Sequence, residues 1–262
     1  MTTRIIYGIH SVRQALQYNS QAIAAVYYRE QDASSERIQP ILNEAQSKQV
    51  NIIALPAADF KKQYGHLPQN QGCVAEFQAG AELKSVPETA LYTLLDERVD
   101  QDDPPLLLVL DGVQDPHNLG ACLRTADAAG VDAVIIPKDR AVGLTSTVIK
   151  VASGAAHTVP VTEVVNIRRC LQQLQKRGFW VVGTAGEADL HYTQIDYVRD
   201  GMVIVAGAEG SGLRQLTKRQ CDFLVTIPMR GQVSSLNVSV AVGVMLFEAR
   251  RQRDACLKHI GS

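Results

Sequence analysis

Four short stretches carry side chains and backbone able to do chemistry. The first is Asp111-Gly112-Val113-Gln114-Asp115-Pro116-His117-Asn118-Leu119-Gly120, followed by Arg124. It joins carboxylates, a carboxamide and a guanidinium to a helix start. The second is Gly183-Thr184-Ala185-Gly186-Glu187 and the third Gly207-Ala208-Glu209-Gly210-Ser211-Gly212. Small residues of this kind let backbone approach a ligand closely. The fourth, Ile227-Pro228-Met229-Arg230-Gly231-Gln232-Val233-Ser234-Ser235-Leu236-Asn237, offers backbone groups and apolar walls suited to a purine. Each has a plain structural alternative. Asp115 or Asn118 can cap a helix, Arg124 can pair with Asp127 one turn on, the glycines can make tight turns, and Ser234 or Ser235 can cap the last helix.

Several chemistries are excluded. Neither glycine loop ends in Gly-Lys-Ser/Thr, so there is no phosphate loop of the nucleotide-hydrolase kind. The third loop has spacing GxxGxG and no acid at the required distance, which speaks against a dinucleotide oxidoreductase. No Gly-x-Ser-x-Gly elbow occurs. The five cysteines (Cys73, Cys122, Cys170, Cys221 and Cys256) form no CxxC pair, and His10, His66, His117, His157, His191 and His259 have no metal spacing. They read as structural or surface residues in a reducing compartment, with no metal. The start of the chain lacks a signal-peptide core, and its apolar runs are too short to span a membrane, so a cytoplasmic protein is expected.

The elements that must position these stretches follow from hydropathy patterning. The 262 residues have 46% hydrophobic and 20% charged content, enough for a core without disulfides. Up to residue 78 the pattern reads as a small αβ domain: strands at 5–7, 24–28, 50–55 and 73–77, with helices at 12–18 and 36–49. Residues 79–85 read as a linker. A helix is expected from Val86-Pro87-Glu88-Thr89 to about residue 98. Strands at 106–110, 133–136, 159–161, 179–182, 202–206 and 223–227 then alternate with helices, including 167–177, 213–220 and 237–253. Such alternation implies a parallel sheet covered on both faces. The second domain is therefore placed at 86–254 and a tail at 255–262. In such sheets ligands bind beyond the carboxyl ends of the strands, where the four stretches fall. The last helix is apolar almost all round from Val238 to Phe247, as for a core helix or a dimer seam. The formal net charge is −1, so contact with a polyanion needs a local patch or a dimer that gathers charge.

Together the stretches resemble the SpoU (TrmH-like) family of RNA ribose 2′-O-methyltransferases. Its first motif, an Asn followed by an Arg, is matched by Asn118 to Arg124. Its Gly-x-Glu-Gly loop is matched by Gly207 to Gly210. Its Ile-Pro-Met strand end running into Ser-Leu-Asn is matched by Ile227-Pro228-Met229 and Ser235-Leu236-Asn237. Tyr7-Gly8-Ile9-His10-Ser11-Val12 resembles the start of the substrate-binding domain found in one branch. The likeness is greatest to members acting on a guanosine of 23S rRNA.

The resemblance implies an α/β fold: a small αβ RNA-binding domain, then a parallel-sheet methyltransferase domain threaded into a trefoil knot (SPOUT). It implies a homodimer with active sites at the subunit interface, and S-adenosylmethionine as cofactor. The reaction would be in-line attack of a ribose 2′-hydroxyl on the sulfonium methyl. Asn118, Arg124, Glu209, Ser235 and Asn237 are the expected catalytic residues, with Glu209 holding the Arg124 fork. Thr184, Ala185, Gly186, Gly207, Ile227, Met229 and Leu236 would hold the cofactor. Arg4, Arg13, Arg29, Lys61 and Lys62 would meet phosphates of 23S rRNA or of a pre-ribosomal large-subunit particle; no membrane and no DNA are expected as partners. A tRNA ribose methyltransferase and a non-catalytic ribosome-assembly protein are the alternatives.

Overall fold

The computed structural model describes residues 5–67, 70–78, 85–96, 103–198, 200–210 and 212–260. The chain divides into two compact units, residues 1–84 and 85–262. Most of the expected linker, residues 79–84, lies outside the described residues.

The first unit comprises β1 (Ile5–Tyr7), α1 (Ile9–Asn19), β2 (Ile23–Arg29), α2 (Gln39–Ser47), β3 (Asn51–Leu55), α3 (Ala57–Tyr64) and β4 (Cys73–Phe77). Its sheet has the order β1-β4-β2-β3. The β2–β3 pair is parallel, and β4 is antiparallel to both β1 and β2. One sheet face packs on α1 and α2 through Val12, Leu16, Val26, Ile38 and Ile41. The other is covered by α3 through Phe60 and Tyr64. The α3 helix was not expected from the pattern. Its apolar positions are only Phe60 and Tyr64, so it is held by packing under one turn of aromatics rather than by a legible stripe.

The second unit begins with α4 (Glu88–Asp96) and β5 (Leu106–Asp111), then α5 (Pro116–Ala128), β6 (Ala133–Pro137), α6 (Ser146–Val151), α7 (Ala155–Thr158), β7 (Val161–Val164) and α8 (Ile167–Gln175). It continues with β8 (Trp180–Thr184), β9 (Leu190–His191), β10 (Met202–Gly207), α9 (Gln215–Lys218), β11 (Phe223–Thr226) and α10 (Val238–Ile260). The seven strands are all parallel, in the order β7-β6-β5-β10-β8-β11-β9. Every residue of β5 and of β10 is buried, which is why both read as unbroken apolar runs.

From β5 the chain steps outward through β6 to β7. It then returns to the other side of β5, where β10 inserts between β5 and β8. That reversal creates a switch point at the carboxyl ends of β5 and β10, where open parallel sheets take their ligands.

Several boundaries differ from expectation: the helices expected at 12–18, 36–49 and 213–220 form at Ile9–Asn19, Gln39–Ser47 and Gln215–Lys218. The strand expected at 159–161 forms at Val161–Val164, because α7 reaches Thr158 and the chain needs two residues to enter the sheet. The tail expected from residue 255 is helical through Ile260. The inner part of α10 is anchored: Arg253 Nε donates to Tyr197 O at 2.9 Å, and Arg250 donates to Ala129 O and Asp103 at 3.0 Å each.

Candidate active site

The helix α5 starts where its sequence provides a cap. Asp115 Oδ1 accepts from the His117 amide at 2.8 Å, with Pro116 in the first turn. Asp115, and not Asn118, is therefore the N-cap, which leaves the Asn118 carboxamide free for another purpose. Leu119, Cys122, Leu123 and Ala126 point into the core. Gly120 is where α6 crosses closely: a Cβ there would lie 2.6 Å from Val151 Cβ and 3.0 Å from the Val148 carbonyl.

Asn237 is the hinge of the site. Its Oδ1 accepts from the Ser239 amide at 2.8 Å and from Ser239 Oγ at 2.6 Å, so Asn237 caps α10 in place of the serines expected there. That fixes the amide, and its Nδ2 then points the other way. It donates to Asn118 Oδ1 at 2.9 Å and to Glu209 Oε1 at 2.5 Å. Three residues separated by 28 and 119 positions along the chain thus meet in one hydrogen-bonded cluster. Asn118 is buried, while Glu209 and Asn237 are exposed at its mouth.

A cavity of about 540 Å³ opens beside this cluster, within the range of small-molecule sites (about 300–1,000 Å³). All seven residues expected to hold a cofactor line it: Thr184, Ala185 and Gly186 after β8, Gly207 at the end of β10, and Ile227, Met229 and Leu236 after β11. Glu209 and Ser235 line it as well. Gly207 permits the turn that shapes it. A Cβ there would lie 2.1 Å from the Gly212 carbonyl carbon and 2.3 Å from the Leu213 nitrogen, a clash of backbone with backbone that no rotamer relieves. Across the mouth, Lys218 donates to Glu187. That ammonium holds the Glu187 carboxyl below the usual carboxylate range. Beneath the cluster, burial first and the Glu209 charge second push the Cys122 thiol up to about 12, so it stays a neutral packing group.

A second cavity of about 450 Å³ lies on the other side of Glu209. The two share Ala208, Glu209, Gly212 and Val238. Its floor is Asp111, whose side chain is fully buried and is gripped by Arg214 through Nε at 2.6 Å and through Nη2. Asp111 and Glu187 lie in the stretches read from sequence but were given no role there, and Arg214 and Lys218 were not singled out. An acid ending a wholly apolar strand was the available signal for Asp111, since a buried carboxylate demands a partner.

Arg124 stands apart. It is exposed on α5 and makes no hydrogen bond or ion pair among the described residues. The expected grip of Glu209 on Arg124 is not formed, because Glu209 accepts from Asn237. The alternative partner, Asp127, accepts from Thr158 Oγ1 at 2.5 Å. Six helical positions rotate Arg124 about 240° from Asn118, onto another face.

Of the expected RNA contacts, Lys61 and Lys62 are exposed on α3. Arg13 is exposed, 4.0 Å from Glu44. Arg29 is tied to Asp32 at 2.7 Å, and Arg4 lies outside the described residues.

A doubly covered parallel sheet, with glycine-lined loops and an amide–carboxylate cluster at its carboxyl edge, defines an α/β enzyme that takes a small cofactor beside a second substrate. Residues 105–247 match the model of the SpoU rRNA Methylase family, and residues 5–82 match that of the RNA 2′-O ribose methyltransferase substrate-binding domain. The chain belongs to the SpoU rRNA methylase family. It is 48% identical to the 23S rRNA (guanosine-2′-O-)-methyltransferase RlmB of Coxiella burnetii, covering 95% of this chain and 96% of that protein. With the protein of the same name from Vibrio cholerae it shares 47% identity over 97% of this chain and 99% of the other. Among solved structures, the AdoMet-bound rRNA methyltransferase from Sinorhizobium meliloti shares the fold, with a TM-score of 0.57 and 24% identity over 95% of this chain and 87% of that one.

Proposed function

We propose that this protein transfers the methyl group of S-adenosylmethionine to the ribose 2′-hydroxyl of a guanosine in 23S rRNA. The observation that carries the reading is the Asn118–Asn237–Glu209 cluster standing between two cavities, in a chain whose curated relatives with that activity match it almost end to end.

The first cavity fits the cofactor. The backbone at Thr184, Ala185, Gly186, Gly207, Ile227, Met229 and Leu236 lines it, and Ala206, Ala241 and Val225 supply apolar wall for a purine. Glu209, and Glu187 with its partner Lys218, would put carboxylates beside a molecule that carries an ammonium and a sulfonium. When bound, the cofactor supplies a methyl already activated by positive sulfur. The chain itself positions the ribose, helps a weakly acidic hydroxyl lose its proton and excludes water.

Asn118 and Asn237 orient the sugar, with Ser235 beside them on the cavity wall. Arg124 stabilises the developing oxyanion and a neighbouring phosphate; guanidinium, with a pKa above about 12, rarely gives up a proton. Within one chain Arg124 does not reach the cluster. A homodimer supplies what is missing: Val240 and Phe247, one heptad apart on α10, are each 51% exposed, the surface expected of a helix that packs on a second copy. Arg13, Arg29, Lys61 and Lys62 of the first unit, together with Arg4, would meet RNA phosphates. The substrate is naked 23S rRNA or a large-subunit precursor in the cytoplasm. DNA has no 2′-hydroxyl to accept the methyl. The trefoil knot that the family resemblance implies belongs to the same reading, with the loops at 207–213 and 227–237 meeting at the cofactor cavity.

The test is transfer of labelled methyl to 23S rRNA and to large-subunit precursors from cells lacking the protein, with tRNA assayed in parallel. Label in an alkali-resistant linkage 3′ to one guanosine of 23S rRNA is expected. Label on tRNA alone would replace the proposal with the tRNA reading.

A further inference from the structure

None of the residues assigned to the cofactor lines the second cavity, yet it shares the wall that carries Glu209. Its charged lining is unevenly satisfied. Asp115 caps α5. Asp111 is gripped by Arg214, whose backbone amide also donates to it at 3.3 Å. Glu209 accepts from Asn237. Arg140, by contrast, is exposed and has no partner among the described residues.

The backbone around Arg140 is also unusual. Its φ is +59°, a left-handed conformation in a residue with a long side chain. The loop is held in this form rather than left free: Val142 N donates to Val113 O at 3.0 Å, tying it to the segment that leads to Asn118. Non-glycine residues kept in this region, where surrounding structure enforces it, cluster at ligand sites. Arg214 adds a second guanidinium, which the buried Asp111 carboxylate fixes through Nε and Nη2. Its Nη1 makes no hydrogen bond among the described residues. Two arginines with free N–H groups, lining one cavity beside the Asn118–Glu209 cluster, match an anion with planar or tetrahedral oxygens.

We infer that the second cavity seats the target nucleotide, with Arg140 on its wall holding an RNA phosphate adjacent to the ribose being methylated. Arg140 is here a positioning residue for the substrate. The inference rests on the proposed reaction for its ribose, but the phosphate site stands or falls by binding.

The experiment uses the full-length protein, Arg140→Ala and Arg140→Lys, with 23S rRNA from cells lacking the protein. Alanine keeps a Cβ at the same backbone angle, and the Arg140 side chain bonds no other residue among those described, so folding is not at risk. For Arg140→Ala, a roughly tenfold weaker RNA affinity and a matching rise in KM are expected, with kcat changed about twofold or less. The slope of log affinity against log salt should fall by about 0.7–0.9, one phosphate's worth. S-adenosylmethionine affinity should not move, and lysine should restore most of the RNA affinity. Unchanged RNA affinity and salt slope would overturn the inference. So would a loss of S-adenosylmethionine affinity at constant RNA affinity, which would assign the cavity to the cofactor's carboxylate. Absence of methyl transfer by the wild type, with Arg140-dependent RNA binding intact, would instead count against the reaction and leave the phosphate site standing.

Discussion

The two units use polar side chains in opposite ways. In the first, Tyr64 Oη donates to Glu76 at 2.9 Å and Tyr27 Oη to the same carboxylate at 3.3 Å. Asn70 folds back on Tyr64 O and Leu67 O, and Arg29 closes on Asp32. These contacts satisfy groups on the paired strands β2 and β4 and on the helix α3, and they lock the unit's own geometry. In the second unit, Asn118, Glu209 and Asn237 come from the segments that follow β5, β10 and β11 and form no local turn together. The lesson is that a polar network between paired strands and the helix over them stabilises, while one joining segments beyond the carboxyl edge of a parallel sheet makes a site.

That contrast can be broken most sharply at the site. Arg124→Ala is expected to lower methyl transfer about 10³-fold, and Asn237→Ala about 10²-fold, the range seen when one transition-state donor is lost. S-adenosylmethionine affinity should stay within a few-fold in both, read by calorimetry, and Arg124→Ala should unfold at the wild-type temperature. Full turnover of Arg124→Ala would remove that residue from the mechanism.

The opposite pattern is expected in the first unit. Glu76→Ala leaves the Tyr64 hydroxyl, on a residue only 1% exposed, without its acceptor. A loss of about 1–3 kcal/mol is expected in denaturant unfolding, with kcat at saturating RNA unchanged. A large fall in kcat without loss of stability would mean the network serves substrate rather than fold.

The last effect is general and is seen only in alkali. Burial pushes the thiols of Cys73, Cys122 and Cys221 up to about 12, and that of Cys170 to about 11, from an ordinary value near 9.0. Folding favours their neutral form, so this contribution is complete below about pH 9 and declines as pH rises toward 12. Stability measured from pH 8 to 11 should be flat at first and then fall. Replacing Cys122 by Ser should flatten only part of that decline.

Much of the architecture was legible because local physics sets it. The unbroken apolar run at 106–110 demanded a strand buried on both faces. A helix start was expected near Asp115 or Asn118, and the glycines at 183–186 and 207–212 marked where backbone could approach a ligand. Family resemblance then singled out Asn118, Glu209 and Asn237, which spacing alone left as helix caps and turns. What stayed hidden depends on distance. The insertion of β10 between β5 and β8 reverses chain order, and no periodicity encodes which strand neighbours which. The Asn237 amide orientation follows from Ser239 on one side and two acceptors from remote loops on the other. Arg214 was unreadable because its partner, Asp111, lies 103 residues earlier. Hydropathy and capping act over a few residues, so they write elements into the chain. Ion pairs, shared cavities and sheet order arise only after those elements pack, when groups with no sequence relation become each other's nearest solvent.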